Sequence, residues 1–238
     1  TIRGLMAHTA NDIYAVGPDA ATGWGIINAE GGAKTLKAAH ENYAVLKERQ
    51  LSNGETYELH VTLDGTQPLV ATISWTDKQG SAISSEDVTT PVLINDLDLR
   101  VERPGGVVLK PWSLNKSTMV APVAVVTEDN NVDNIEKIEF KVNVLNAAPA
   151  GVYKIRVTHK GTLDSGSQKY SLIVTGGVLS ANEPNVSNEN MNFEKLVLYP
   201  NPASDVLNIS AEMSSIENSN VKIYDMLGKV VYQNSDLF

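Results

Sequence analysis

Near residue 41 the hydrophobic pattern of this chain changes period, and that change limits what it can fold into. Before it, apolar residues recur at helical spacing. Ile2, Leu5, Met6 and Thr9 fall near one helical face. Asn11-Asp12 and Gly17-Pro18-Asp19 break that helix. Thr22-Gly23-Trp24-Gly25 reads as a tight turn, followed by the apolar pair Ile26-Ile27. Asn28 is a good N-cap, because its side-chain oxygen can accept an orphan backbone N–H. Glu30 suits the positive end of the same helix, which is expected to run to about Ala39.

After residue 41 the period is two. Tyr43, Val45 and Lys47 alternate with Ala44 and Leu46, and Ser52-Asn53-Gly54-Glu55 signals a hairpin. Tyr57, Leu59, Val61 and Leu63 share one strand face; Val70, Thr72 and Ser74 alternate with Ala71, Ile73 and Trp75. Further strand-like runs are Leu93–Val101, Lys137–Val144, Val152–Val157 and Tyr170–Val174. Breaks such as Pro104-Gly105-Gly106 and Ala148-Pro149-Ala150-Gly151 separate them. Many short strands with turn-rich gaps mean a β-sandwich or barrel. Gly176-Gly177 closes this block, and the Asn-, Ser- and Glu-rich run Ser180–Asn192 reads as a linker. A second strand set follows: Leu196–Tyr199, a Pro200-Asn201-Pro202 turn, Val206–Ser210, Val221–Tyr224 and Val230–Tyr232. It is too short for an independent sandwich. No internal repeat is present.

Composition excludes several function classes. The chain has 238 residues, enough for one or two domains with a real core. Lys plus Arg is 19 and Asp plus Glu is 28, a formal charge of −9. A clustered basic face is not expected, which argues against nucleic acid or an anionic membrane as main partner. No apolar run approaches a membrane span. With no cysteine there is no disulfide, thiolate metal site or cysteine nucleophile. The chain opens on Thr1 and closes on Asn234-Ser235-Asp236-Leu237-Phe238, and both ends read as cut from a longer protein.

The four histidines, His8, His40, His60 and His159, show no metal-ligand spacing and read as structural or surface residues. There is no Gly-x-Ser-x-Gly elbow and no phosphate-binding glycine loop. No nucleophile, base and orienting acid can be assembled, so no catalytic or cofactor-binding residue is assigned. One feature does carry chemistry. Asn95-Asp96-Leu97-Asp98-Leu99 places Asp96 and Asp98 on one strand face, with Leu97 and Leu99 on the other. The run 129–134 adds Asp129, Asn131 and Asp133 in a loop. Clustered carboxylate and amide oxygens suit calcium, which takes about six to eight hard ligands. These five residues are the candidate calcium ligands. Against that, Asn and Asp also favour turns through local hydrogen bonds, and the spacing is not an EF-hand. Asn115-Lys116-Ser117, Asn185-Val186-Ser187 and Asn208-Ile209-Ser210 match the N-glycosylation pattern, which is short and carries little weight.

Three stretches resemble known families. The order Ile2–Ala10, Gly17-Pro18-Asp19 and Thr22-Gly23-Trp24-Gly25-Ile26-Ile27-Asn28-Ala29 resembles the end of a subtilisin-like serine peptidase domain. That resemblance implies that the catalytic Asp, His and Ser and the oxyanion-hole Asn all lie upstream of Thr1. The runs Ile73–Asp77, Val92–Leu99, Asn130–Ile135, Gly151–Val157 and Gln168–Leu172 look like the β-jelly-roll that follows the catalytic domain in one branch of bacterial subtilases. Such domains resemble the P-domain of proprotein convertases, and some hold calcium. Leu198-Tyr199-Pro200-Asn201-Pro202-Ala203-Ser204-Asp205 and Val221–Val231 resemble the sorting domain of type IX secretion substrates. That family continues into further strands, so the domain reads as truncated.

Together these give a mainly β chain. Residues 1–40 are the short α-helical end of an α/β subtilisin-like domain, and 41–177 form a β-jelly-roll sandwich. Residues 178–195 are a linker, and 196–238 a partial β-sandwich sorting domain. The expected function is the C-terminal part of an exported subtilisin-like serine endopeptidase, inactive alone, at the cell surface or secreted. Its partners are a protein or peptide substrate of the intact parent and the type IX secretion machinery. The alternative is a non-catalytic β-sandwich module binding carbohydrate or protein, with Trp75 and Trp112 as stacking residues. Packing of both tryptophans inside the sandwich is favoured over stacking, because large aromatics are mostly buried. A plain spacer with an address tag leaves the opening forty residues unexplained.

Overall fold

The computed structural model describes residues 1–84, 90–114, 123–142, 146–183, 193–199, 208–213, 221–224 and 230–234. The chain divides into two compact units, Thr1–Pro184 and Asn185–Phe238. The first opens with helices α1 (Ile2–Thr9) and α2 (Ala29–His40). Asn28 caps α2 as its position suggests, accepting from Gly31 N at 2.7 Å. Strands follow as β1 (Val45–Ser52), β2 (Tyr57–Leu63), β3 (Leu69–Trp75), β4 (Asp96–Glu102), β5 (Val108–Leu109) and β6 (Ser113–Leu114). The unit continues with β7 (Ala124–Val125), β8 (Ile135–Phe140), β9 (Gly151–Lys160), β10 (Ser167–Thr175) and β11 (Val178–Asn182).

These strands build two antiparallel sheets, ordered β1-β10-β3-β8 and β11-β2-β9-β4-β5. Successive long strands alternate between the sheets, which is the jelly-roll arrangement. The chain is mainly β, as its period of two requires. Ser52–Glu55 is a tight turn, closed by Glu55 N donating to Ser52 O at 3.0 Å, but it is not a hairpin. It carries the chain from one sheet to the other: β1 pairs with β10, and β2 with β9 and β11. The local turn chemistry is the same in both cases, so residue type alone does not separate them.

The core lies between the sheets. Leu59 and Val61 of β2, Leu97 and Leu99 of β4 and Ile155 of β9 meet Ile73 and Trp75 of β3 and Leu172 of β10. Strand β4 begins at Asp96 rather than at Leu93. The reason is Asp77, whose carboxylate accepts from Ile94 N at 2.7 Å and Asn95 N at 3.0 Å and holds them in the preceding loop. Strand β3 is buried on both faces. Ala71, Ile73 and Trp75 enter the core, while Thr72 and Ser74 lie beneath α1.

Helix α1 meets the sheet with its small and polar face, Gly4, Ala7 and His8. A Cβ on Gly4 would stand 2.5 Å from Ser74 Oγ, so the close approach suits glycine. The Arg3 guanidinium donates to Trp75 O. Further along, Asn11 and Ile26 exchange backbone hydrogen bonds of 3.0 Å in each direction, which closes the loop through the Gly-Trp-Gly turn.

In the second unit β12 (Phe193–Tyr199) pairs antiparallel with β13 (Asn208–Met213), and β14 (Val221–Tyr224) with β15 (Val230–Asn234). The expected Pro200-Asn201-Pro202 turn, the run Asp225–Lys229 and the sites at Asn115 and Asn185 lie outside the described residues.

The two glycines around Trp24 carry different constraints. Gly25 has φ +100° and a Cβ there would lie 2.2 Å from Asn11 O, whereas Gly23 at φ +60° has open space. Gly25→Ala is expected to cost about 1–3 kcal/mol in chemical denaturation, and Gly23→Ala about 1 kcal/mol or less. Equal costs would show that the Asn11–Ile26 closure does not constrain this turn.

Candidate functional site

Alternation along β4 sends Leu97, Leu99 and Val101 into the core and leaves Asp96 and Asp98 on the opposite face. The antiparallel register sets Asp96 across from Lys160 at the end of β9. The loop after β7 brings in Asp129. Lys160 Nζ lies 3.5 Å from Asp96 Oδ2, 3.1 Å from Asp98 Oδ1 and 3.5 Å from Asp129 Oδ2. Arg100 Nη2 reaches Asp98 Oδ1 at 3.0 Å and also pairs with Asp129, and Lys110 Nζ stands 3.8 Å from Asp129. Three of the five candidate ligands therefore converge, and three cations balance their charge.

Asn131 and Asp133 sit half-buried on the same loop as Asp129. Asn130, fully buried between Asp129 and Asn131, shapes that loop. Its Oδ1 accepts from Val132 N at 3.3 Å and Asp133 N at 3.2 Å. Its amide nitrogen reaches back to Ile135 O at 3.4 Å. Among the described residues no three acidic or histidine side chains are placed to hold a metal ion. A calcium ion at the three carboxylates would have to displace Lys160 Nζ.

The cluster is electrostatically graded. Burial pushes the Asp96 carboxyl up, against the pull of Lys160, and its Oδ1 has no hydrogen-bond partner. Burial also opposes ionisation of Asp129, but Arg100, Lys160 and Lys110 outweigh it and hold that carboxyl below its ordinary value. Burial works against the charge of Lys160, yet its bond to Asp98 and the surrounding carboxylates raise its pKa.

Glu136 of β8, fully buried, borders this cluster from the other sheet. Its Oε2 accepts from Leu99 N at 2.5 Å, and its Oε1 is unpartnered. Burial drives its pKa well up, with Asp98 and Asp96 adding to the effect and the Leu99 bond opposing it. The sequence offers no sign of this role, because Glu136 stands in an ordinary strand pattern.

The histidines do not gather. His8 is buried under α1, His60 Nε2 lies 2.9 Å from Glu58 Oε1, and His159 Nε2 accepts from Gly54 N at 2.8 Å. His40 ends α2. Trp75 is packed in the core. Trp112 is half-buried, and its ring fills the space a Cβ on Gly17 would need. Trp24 lies over Lys137, its ring centre 5.8 Å from Nζ.

A raised pKa stabilises the fold at low pH and loses that contribution as pH rises through the folded value. Glu136→Gln keeps the acceptor for Leu99 N without a titrating proton. Its stability relative to wild type is expected to increase as pH climbs from about 4 towards neutrality. A difference independent of pH would show that Glu136 ionises normally.

Residues 197–237 match the family described as the secretion system C-terminal sorting domain. No curated protein matches the chain. No helix among the described residues is long and apolar enough to cross a membrane. The sorting domain marks the protein as a type IX secretion substrate, carried to the cell surface or beyond.

Proposed function

We propose that this chain is the C-terminal part of an exported subtilisin-like serine endopeptidase. The supporting observation is an inverted helix. α1 buries Gly4, Ala7 and His8, while Ile2 and Met6, roughly 180° away around the helix, are exposed. Ile13, Tyr14, Val16, Ile26 and Ile27 in the following loop are exposed as well. A surface segment normally buries such residues, and a run of this kind marks an interaction face. The order of motifs across 1–29 resembles the end of a subtilisin-like domain, whose body would cover that face. Acyl transfer would then depend on a serine, histidine and aspartate and on oxyanion-hole donors outside this chain. The sandwich would stabilise that domain or help position a peptide substrate, seated through Arg3, Gly4 and His8.

A fluorophosphonate probe tests this reading. The 238-residue chain is expected to stay unlabelled, and the product of the whole reading frame to be labelled at a serine upstream of Thr1. An unlabelled full product sinks the peptidase reading and favours the non-catalytic binding module.

Calcium belongs to the same reading, with Lys160 and the ion competing for Asp96, Asp98 and Asp129. Lys160→Met leaves the three carboxylates with only Arg100 and Lys110 to balance them, so its melting temperature is expected to fall. Calcium should then raise it by more than it raises wild type. Two proteins equally unresponsive to calcium and chelator would remove calcium from the account.

A further inference from the structure

We infer that α1 is an acid-released cap on the four-stranded sheet, held while His8 is neutral and undocked when its ring takes a second proton. His8 sits at the centre of the contact. Its Nδ1 lies 2.9 Å from Thr72 Oγ1 of β3, and its Nε2 2.9 Å from Thr175 Oγ1 of β10. A neutral imidazole donates from one nitrogen and accepts at the other, so the two hydroxyls satisfy it completely. Only 5% of the residue is exposed.

Among the described residues the ring's partners are two hydroxyls, with no carboxylate paired to it. Strands β3 and β10 offer the ring hydroxyls alone. On β8 the charge that acts on the ring is a cation, Lys137, itself nearly buried, paired with Glu139 at 2.7 Å and lying under Trp24. Arg3 on α1 is committed to Trp75 O, and Glu48 of β1 accepts from Ser171 Oγ of β10 at 3.1 Å. On α2 and at its end, Lys34 pairs with Glu30 at 2.6 Å and Lys37 with Glu41 at 3.8 Å. Burial, and then Lys137, lower the His8 pKa from about 6.5 to about 3.

The sign follows from that direction. A depressed pKa gives docking that is complete above about pH 6.5 and is lost as pH falls towards 3. The cap can leave without unfolding what lies beneath it, because no residue of α1 belongs to the core cluster between the sheets. This device depends only on residues of this chain and stands apart from the peptidase reading.

Nuclear magnetic resonance on the full chain tests it. The His8 ring should remain neutral from pH 7 to about pH 5. Amide protection over residues 2–9, corrected for intrinsic exchange, should fall roughly 100-fold between pH 7 and pH 4.5. Protection of Leu59, Val61 and Ile155 in the core strands should hold over the same range. His8→Gln should abolish the pH dependence at α1. Lys137→Met should raise the His8 midpoint and shrink the loss of protection. A wild-type His8 titrating near pH 6.5, or α1 protection that follows the same pH course in His8→Gln, overturns the proposal. If His8→Gln does not fold, the wild-type titration and Lys137→Met decide.

Discussion

At the end of β3 one residue ties together the parts of the first unit. Trp75 fills the core, donates from Nε1 to Asn95 O at 3.0 Å and accepts from Arg3 at its own carbonyl. Asn95, 1% exposed, extends the connection. Its amide nitrogen donates to Gln168 Oε1 at 2.7 Å, and its Oδ1 accepts from Asp164 N at 2.7 Å. Helix α1, the start of β4 and the start of β10 are thus fixed relative to the core through one satisfied polar network. In a low-dielectric interior such a network is costly to leave partly unpaired, which makes it specific. The position of α1, and with it the exposed apolar face, depends on that contact.

The two faces of α1 join the fold to the functional reading. Its polar and small side is used against the sandwich, Leu5 turns towards α2, and Ile2 and Met6 are left outward. That is the reverse of an ordinary surface helix. A covering partner removes the contradiction, and the motif order across residues 1–29 suggests which kind. The sorting domain adds the destination but says nothing of chemistry, since an address can be attached to many cargoes.

Much of the fold was legible because alternation reports which side of a strand is buried. It separated Leu97 and Leu99 from Asp96 and Asp98, and it placed Ala71, Ile73 and Trp75 together. Helix α2 was legible from Asn28 and Glu30. The partners of those faces were not. Lys160 reaches Asp96 through strand register, and Asp129 arrives on a distant loop, so a pattern of carboxylates could not reveal its cations. Of the Asn residues in the two acidic runs, only Asn131 is among the candidate ligands. In the fold Asn95 and Asn130 spend their side chains on closing turns and loops. His8 was equally opaque, since both of its partners are remote in sequence, at separations of 64 and 167 residues. The Ser52–Glu55 turn shows the same limit: its residues fix the bend but not which sheet receives the next strand.

Antibodies raised against residues 1–183 would test most directly whether this is the exported end of a larger enzyme. The measurement is an immunoblot of intact cells, with and without external protease, beside the culture medium. The expected result is a protease-accessible or released polypeptide clearly heavier than 238 residues account for. A product confined inside the cell would contradict the export, and a surface product of only 238 residues would contradict the larger parent.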